Sequence, residues 1–324
     1  MAVIFRHFSL LSPLPPPLPP PSPPQFPPPR SSSARFAAAS SSSSRSPSPA
    51  SSMEAADKFM EFPHVLAPHR SLMIDLVSAA EERLGSQLLP FALPPDVRCY
   101  QNDAGSARGS LYVRRGQGSS KVDFLLGSWL NCQLPTGGSL NITSLSAYLN
   151  NSTDAPNFLF ELIRSSPTSL VLILDLPPRK DLVTSPDYLS TFYEETELES
   201  CRQVLEKLPE AQPYFSSALY IRCVVSPTAI MLRIESEAGK AECLDEIVEK
   251  YVSPVAKEVL GIWLDKCAAV DRNVEEEERA YLERRDGIIK RKTIEIDLGS
   301  SFPRLFGTEI ANRVLDVLKE VYGV

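Results

Sequence analysis

The sequence predicts an α/β protein, a three-layer α/β/α sandwich built around a central antiparallel β-sheet. Short β-prone runs follow one another through the middle of the chain and are joined by tight turns, which favours antiparallel neighbours. Helical patterns lie before and after these runs, so they would cover the two faces of the sheet. Because no internal repeat and no second core is evident, residues 51–324 are expected to form a single domain.

The first regular element is a helix predicted within residues 58–87. Its apolar residues recur at three- and four-residue spacing and form one stripe, made of Met73, Leu76, Val77, Ala80 and Leu84. The prolines of residues 89–95 end the helical pattern. This helix would therefore lay one apolar face on the sheet.

Three hairpins and one further strand are predicted next. The hairpins pair 110–114 with 121–126, 157–163 with 169–176, and 219–225 with 229–234. The further strand is expected at 139–145. The run 157–163 is short, and one or two turns of helix remain its alternative.

The last third of the chain is predicted to be helical. Helices are expected at 195–208, 241–252, 254–268, 275–292 and 304–322. In the segment 275–292 the glutamates come early and the basic residues late, which suits the helix dipole.

The first fifty residues are predicted to be an organelle transit peptide. They contain four arginines, a long proline tract and a serine run, and the first acidic residue of the chain is Glu54. An acid-poor composition rich in Arg and Ser is typical of such peptides. The prolines disfavour the amphipathic helix of a mitochondrial one, so we expect the chloroplast, in the stroma or associated with thylakoids. A disordered tail is the alternative.

Charge and cysteine spacing exclude several classes of function. The net charge is −7, and subtracting the leader's four arginines leaves the rest near −11. A nucleic-acid binder needs a strongly basic face. The six cysteines form no CxxC pair and have no histidine at ligand spacing, so buried reduced thiols are expected rather than a metal site. The apolar stretch 170–176 is too short to span a membrane.

Motifs for nucleotide binding and nucleophilic catalysis are missing from the sequence. The glycine turn at 116–118 lacks the third glycine and the helix of a dinucleotide site. All three histidines, His7, His64 and His69, lie at or before position 69. A catalytic histidine in the body of the protein is therefore not expected. Proton transfer would fall to carboxyl groups, tyrosine, cysteine or bound water.

Several uncommon strings, in their order and spacing, resemble the red chlorophyll catabolite reductases of plants. They are Lys-Phe-Met-Glu-Phe-Pro at 58–63, Gly-Ser-Trp at 127–129, Pro-Thr-Gly at 135–137, Ser-Leu-Asn-Ile-Thr-Ser at 139–144, the segments 155–162 and 170–181, and Phe-Pro-Arg-Leu-Phe-Gly at 302–307. The resemblance runs from about residue 58 to the end of the chain.

Members of this family reduce red chlorophyll catabolite, a linear tetrapyrrole made by opening the ring of pheophorbide, to a primary fluorescent catabolite. The resemblance implies reduced ferredoxin as the external electron donor and no bound flavin, metal or nicotinamide. It also implies the fold of the ferredoxin-dependent bilin reductases and a homodimer. Pheophorbide a oxygenase and other enzymes of chlorophyll breakdown in senescence are the further partners expected.

Glu161 and Asp297 are the predicted catalytic and substrate-binding carboxyl groups. If 157–163 is a strand, Glu161 shares a face with Leu159 and Ile163, which places a carboxyl group in an apolar row. A carboxyl group in such surroundings can serve as a proton donor. A glutamate that faces water, and an exposed or helix-capping aspartate, are the alternatives. The resemblance implies that both residues contact the substrate.

Val225 is the predicted determinant of product stereochemistry. It would end a strand, and the resemblance implies that this position influences which C1 epimer is formed; a core valine is the alternative.

Asp286 competes with Asp297 as a proton donor. The basic clusters within 284–292 and at 179–180 and 114–115 could dock an acidic ferredoxin, although charge runs are usually solvated helix faces.

Two other functions fit the same expectations. A non-catalytic protein could bind a phototoxic tetrapyrrole and shield it, and a different bilin reductase could act on another linear tetrapyrrole. Turnover would distinguish the reductase from the shielding protein, and substrate identity would distinguish the two reductases.

Overall fold

The structure, a computed structural model, describes residues 59–61, 64–134, 137–237, 241–298 and 301–324, without the side chains of 241, 297 and 298. The predicted leader, residues 1–50, lies outside the described residues.

One antiparallel sheet of eight strands forms the centre of the described chain. The strands stand in the order β1-β2-β3-β4-β5-β6-β8-β7, so nearly every strand pairs with its neighbour in sequence. Their bounds are β1 Cys99–Gln101, β2 Ala107–Arg115, β3 Val122–Gln133, β4 Ser139–Leu149, β5 Phe158–Ser166, β6 Ser169–Asp175, β7 Ala211–Pro213 and β8 Ile230–Glu235. The predicted antiparallel sheet is confirmed, and the strand alternative for 157–163 holds.

Helices precede, follow and interrupt the strands. They are α1 Ala67–Leu84, α2 Pro95–Arg98, α3 Pro186–Leu189, α4 Leu198–Glu206, α5 Leu219–Val224, α6 Ala241–Ile247, α7 Ser253–Trp263, α8 Glu276–Thr293, α9 Phe302–Phe306 and α10 Thr308–Tyr322. Helix α8 carries acidic residues in its first turn and basic residues in its last, as the charge pattern predicts.

The two sheet faces are covered by different helices. On one face, Phe158 of β5 contacts Trp263 of α7, and Gly127 of β3 lies directly under Met73 of α1. On the other face, Phe124 of β3 packs edge-on against Tyr322 of α10, with ring centroids 5.1 Å apart. The α/β/α sandwich predicted from the sequence is thereby confirmed.

Central strands are buried on both faces because helices cover both. Every residue of β3 from Phe124 to Leu130 is buried, including Trp129, whose exposed fraction is 0%. Burial on both sides of a sheet requires near-continuous apolar runs. The buried serines of β3 and β4, Ser128, Ser144 and Ser146, therefore place hydroxyl groups inside an otherwise apolar part of the sheet.

Two predicted elements differ from the structure. Residues 219–225 were predicted as a strand, but Leu219–Val224 is the helix α5, and β8 pairs instead with β6 and the short β7. The helix predicted at 304–322 is divided into α9 and α10 by Gly307, whose φ of 78° is accessible mainly to glycine.

None of the described helices combines the length and apolar composition that crossing a membrane requires.

Candidate functional site

Glu161 lies at the centre of the sheet, with an exposed fraction of 0%. In the register of β5 it stands opposite Ser144 of β4 and Ile173 of β6. Side chains that oppose one another across strands are about 5 Å apart at Cβ. The predicted apolar row thus contains a carboxyl group that is withdrawn from water, which removes the water-facing alternative for this residue.

A strip of hydroxyl groups runs beside Glu161 on the same face. Ser128 of β3 and Ser144 of β4 are buried cross-strand partners, and their Oγ atoms are 2.7 Å apart. Ser146 follows Ser144 on the same face and is also buried. Three buried serines beside a buried glutamate make this part of the sheet polar. Sequence reasoning missed them, although serine at alternating positions of an apolar strand was the available signal.

A small cavity of about 50 Å³, partly open to solvent, lies between this face of the sheet and the helices α5, α8 and α10. Its lining is mostly apolar and aromatic, from Ser146, Tyr148, Asn157, Phe158, Leu159, Pro177, Pro178, Tyr220, Ile221, Val224, Arg285, Ile289, Thr293 and Tyr322. Ser146 and Leu159 are cross-strand partners in its floor. Glu161 occupies the next same-face position of β5, about 7 Å along the strand.

The other two predicted residues lie in the chain next to the cavity wall. Val225 directly follows Val224 and is half-buried against the core, but it ends a helix rather than the predicted strand. The backbone of Asp297 belongs to a short π-helical segment, Ile294–Leu298, that continues α8. The side chain of Asp297 lies outside the described residues. Thr293, one helical turn earlier, lines the cavity.

Asp175 is a second buried carboxyl group on the Glu161 face, and the site predictions did not include it. It ends β6 opposite Leu159, and its carboxylate accepts hydrogen bonds from Ser226 N at 3.0 Å and Ser226 Oγ at 2.5 Å. Burial raises the pKa of Asp175 to about 6, against the opposing effect of these hydrogen bonds. A carboxyl group that titrates near neutral pH is suited to proton transfer.

A tyrosine at the sheet edge completes the polar surroundings of Glu161. The Tyr214 backbone N–H donates to Met231 O at 2.9 Å, and Met231 stands on β8 opposite Ile173. The pKa of the Tyr214 phenol is raised, first by burial and then by the negative charge of Glu161. The phenol therefore stays protonated and lies within electrostatic reach of the Glu161 carboxyl group.

Histidine is present in the body of the protein, but on the opposite face of the sheet. His69 is a buried residue of α1, and neither ring nitrogen has a hydrogen-bond partner among the described residues. Burial, and secondarily the charge of Arg164, lower its pKa to about 3. Arg164 is three residues from Glu161 on β5, so the two side chains point to opposite faces. The neutral imidazole does not reach the cavity face.

Asp286, predicted as a competing proton donor, is held in a buried ion pair. Its Oδ2 accepts from Arg179 Nη2 at 2.6 Å and Arg179 Nε at 3.0 Å, and both side chains are buried. Arg179 Nη1 also donates to the carbonyl oxygens of Asn150 and Thr153. Arg179 is therefore inaccessible to a docking partner, and Lys180 pairs with Glu278 at 2.5 Å.

Other predicted docking cations are also engaged. Arg114 pairs with Glu81 at 2.6 Å. Lys290 Nζ lies 2.6 Å from Asp123 Oδ2 and above the rings of Phe124 and Tyr148. The cations that face water on α8 are Arg284, Arg291 and Lys292.

The described part of the chain contains neither a cluster of candidate metal ligands nor a disulfide bond. No cluster of three or more His, Cys, Asp or Glu side chains there could hold a metal ion. All six cysteines are unpaired, and three of them, Cys132, Cys201 and Cys267, are buried. Burial raises the pKa of the Cys132 thiol to about 12. Such a thiol is inert, as expected for a cysteine in the core.

Comparison with known proteins gives three findings. A sequence model of the family described as red chlorophyll catabolite reductase matches residues 68–320. The red chlorophyll catabolite reductase, chloroplastic, of Arabidopsis thaliana is 55% identical over 270 residues, which cover 82% of this chain and 84% of the relative. Red chlorophyll catabolite reductase 1, chloroplastic, of Oryza sativa subsp. japonica is 46% identical over 258 residues, covering 79% and 78%.

Among solved structures, the fold is similar to phytochromobilin synthase from tomato in complex with biliverdin. The TM-score is 0.54 at 17% sequence identity, over 76% of this chain and 82% of that one. At this identity the likeness shows a shared fold.

Proposed function

The chain belongs to the red chlorophyll catabolite reductase family, and we propose that it reduces red chlorophyll catabolite to the primary fluorescent catabolite. The observation that carries the proposal is the fully buried Glu161 beside a cavity lined mostly by apolar and aromatic side chains. Apolar and aromatic walls suit a planar pigment, and its reduction needs a proton donor shielded from water.

Reduction of one double bond takes two electrons and two protons. We propose that reduced ferredoxin supplies the electrons one at a time, so that a radical intermediate forms and two ferredoxins are oxidised for each pigment reduced. The protein itself binds no flavin, metal or nicotinamide in this proposal. Its residues exclude water, orient the pigment and deliver protons.

Glu161 delivers a proton to the pigment on this proposal, and Asp297 is the second acidic residue at the substrate. The serine strip gives Glu161 polar neighbours that can pass a proton along the sheet. Tyr214 holds a proton within electrostatic reach of the same carboxyl group. Val225, next to the wall of the cavity, restricts the face from which the pigment is protonated and so selects the epimer.

The docking surface for ferredoxin is proposed at the exposed cations of α8. Arg284, Arg291 and Lys292 face water, and an acidic partner would approach them along the charge gradient. Reversal of Arg291 and Lys292 to glutamate should slow ferredoxin-dependent turnover at low salt and leave pigment binding unchanged. Turnover that is insensitive to these changes across ionic strengths would reject this surface.

The predicted chloroplast location is confirmed by the names of the Arabidopsis and rice relatives, both called chloroplastic. We also propose that pheophorbide a oxygenase supplies the substrate, that the protein contacts other enzymes of chlorophyll breakdown, and that it forms a homodimer.

One anaerobic assay tests the function. Purified protein is mixed with red chlorophyll catabolite and reduced ferredoxin, without flavin or nicotinamide, and the fluorescent product is measured. Multiple turnovers are expected. Stoichiometric binding without product would indicate a shielding protein, and turnover with a different linear tetrapyrrole alone would indicate another bilin reductase.

A further inference from the structure

Arg285 is a cation in the cavity wall that the fold does not neutralise. It forms no hydrogen bond and no ion pair with any described residue, and its side chain is half-buried. Arg285, Ile289 and Thr293 recur at four-residue spacing, so one face of α8 presents all three to the cavity. The guanidinium donors of Arg285 are therefore free to bind a ligand that enters the cavity.

Position in the cavity wall sets Arg285 apart from Arg284 and Arg291 of α8, which are exposed and likewise unpaired among the described residues, and three other cations nearby are paired. Lys290 pairs with Asp123, Lys292 pairs with Glu295, and Arg179 pairs with Asp286. Each of these pairs is made with a carboxylate of the protein. Arg285 has no such ion pair with a described carboxylate, although Asp181 lies within its electrostatic reach.

Tyr220 of α5 lines the same cavity and lies within electrostatic reach of Arg285. The pKa of its phenol is raised by burial, and the charge of Arg285 acts in the opposite direction. The Tyr220 hydroxyl likewise has no hydrogen-bond partner among the residues that the structure describes. The charge of Arg285 also acts on Asp181, which is exposed and accepts from Thr184 N at 2.9 Å.

Arg285 and Tyr220 lie at the end of the cavity that is far from Glu161. Asp181 follows β6 by six residues, and Pro177 and Pro178 in the lining also lie beyond the end of that strand. Glu161 lies on the other side of Leu159, in the interior of β5. A ligand that spans the cavity would thus have one end at Arg285 and the other toward the buried carboxylate.

We propose that Arg285 and Tyr220 bind a carboxylate side chain of the tetrapyrrole and so set its orientation in the cavity. The inference rests on the proposed function, because a chlorophyll-derived pigment that has lost its long-chain ester carries a free propionate. A guanidinium group donates two parallel hydrogen bonds to a carboxylate, and the phenol adds a third donor. The site therefore prefers the free acid to its ester.

The test compares the free acid of red chlorophyll catabolite with its methyl ester, in equilibrium binding measured by pigment absorbance without ferredoxin. Wild-type protein should bind the acid about tenfold more tightly than the ester. Arg285→Gln should weaken acid binding about tenfold and leave ester binding nearly unchanged. Arg285→Lys keeps the charge but loses the paired geometry, and should fall between them.

Arg284→Gln is the matched control, since it removes the same charge from the adjacent, exposed residue. Its dissociation constants for acid and ester should equal those of the wild type. Equal binding of acid and ester by the wild type, or equal effects of Arg284→Gln and Arg285→Gln, would overturn the inference. Turnover with ferredoxin is measured separately, so that acid-selective binding without product would reject the proposed function and leave the carboxylate site standing.

Discussion

The buried ion pair between Arg179 and Asp286 provides the sharpest test of how this fold is held together. We consider Arg179→Met, which keeps an unbranched apolar stem and removes every donor. The substitution leaves the Asp286 carboxylate in the interior without its partner. It also removes the donor to the carbonyl oxygens of Asn150 and Thr153, which fix the loop between β4 and β5.

The size of the effect follows from burial. Arg179 has an exposed fraction of 0% and the Asp286 side chain 9%, so neither charge regains water when the other is removed. Breaking such a pair costs about 3–5 kcal/mol of unfolding free energy. For a chain of this size, at roughly 3 °C for each kcal/mol, the melting temperature should fall by about 9–15 °C.

Urea denaturation followed by tryptophan fluorescence measures the loss. Asp96→Asn is the control, because Asp96 pairs with Arg313 at 2.6 Å while both side chains are half exposed. Exposed pairs contribute about 0–1 kcal/mol. If Arg179→Met and Asp96→Asn destabilise the protein equally, the reasoning from burial is refuted. The double variant Arg179→Met with Asp286→Leu should regain part of the loss, since it buries no unpaired charge.

Three further predictions concern the site. Glu161→Gln and Asp297→Asn should each lower turnover about 100-fold or more while the circular dichroism spectrum is unchanged; near-normal product formation by either variant would remove that residue from the mechanism. Val225→Phe should alter the ratio of C1 epimers, and an unchanged chromatographic retention of the product would count against this role. Asp175 has a pKa raised from 3.8 to about 6 in the folded state. Its contribution to stability is therefore complete below pH 4 and is lost as the pH rises through 6, by ~3 kcal/mol in total. Unfolding free energies measured from pH 4 to 7 should fall in the wild type relative to Asp175→Asn, and parallel curves would contradict the assignment.

Much of the fold could be predicted because its patterns are local. The hairpin of β5 and β6 follows from two β-prone runs and a short turn, and alternation along β5 places Glu161 with Leu159. Helix α8 follows from its charge gradient. Such signals lie within ten or twenty residues, so one sequence suffices to detect them.

Residues 219–225 show where local reasoning fails. The apolar, β-branched run suits a strand, yet it forms the helix α5. The edge of β8 is already occupied by β7, and Tyr214, which follows β7, donates its backbone N–H to Met231 O of β8. Tertiary context overrides propensity in so short a segment. The same limit hid the interactions of Asp175 and Arg179. The partner of Asp175, Ser226, is 51 residues away in the chain, and the partner of Arg179, Asp286, is 107 residues away.

The two edges of the sheet have a consequence for solubility. The central strands reach twelve residues, but β1 and β7 have three each, and β7 ends in Pro213. A long bare edge would offer its unpaired amide and carbonyl groups to another chain, whereas a short edge that ends in proline cannot template one. Lengthening β7 by replacing Pro213 would therefore be expected to create a polymerisation hazard. The short, proline-ended edge thus protects the monomer from strand-by-strand association.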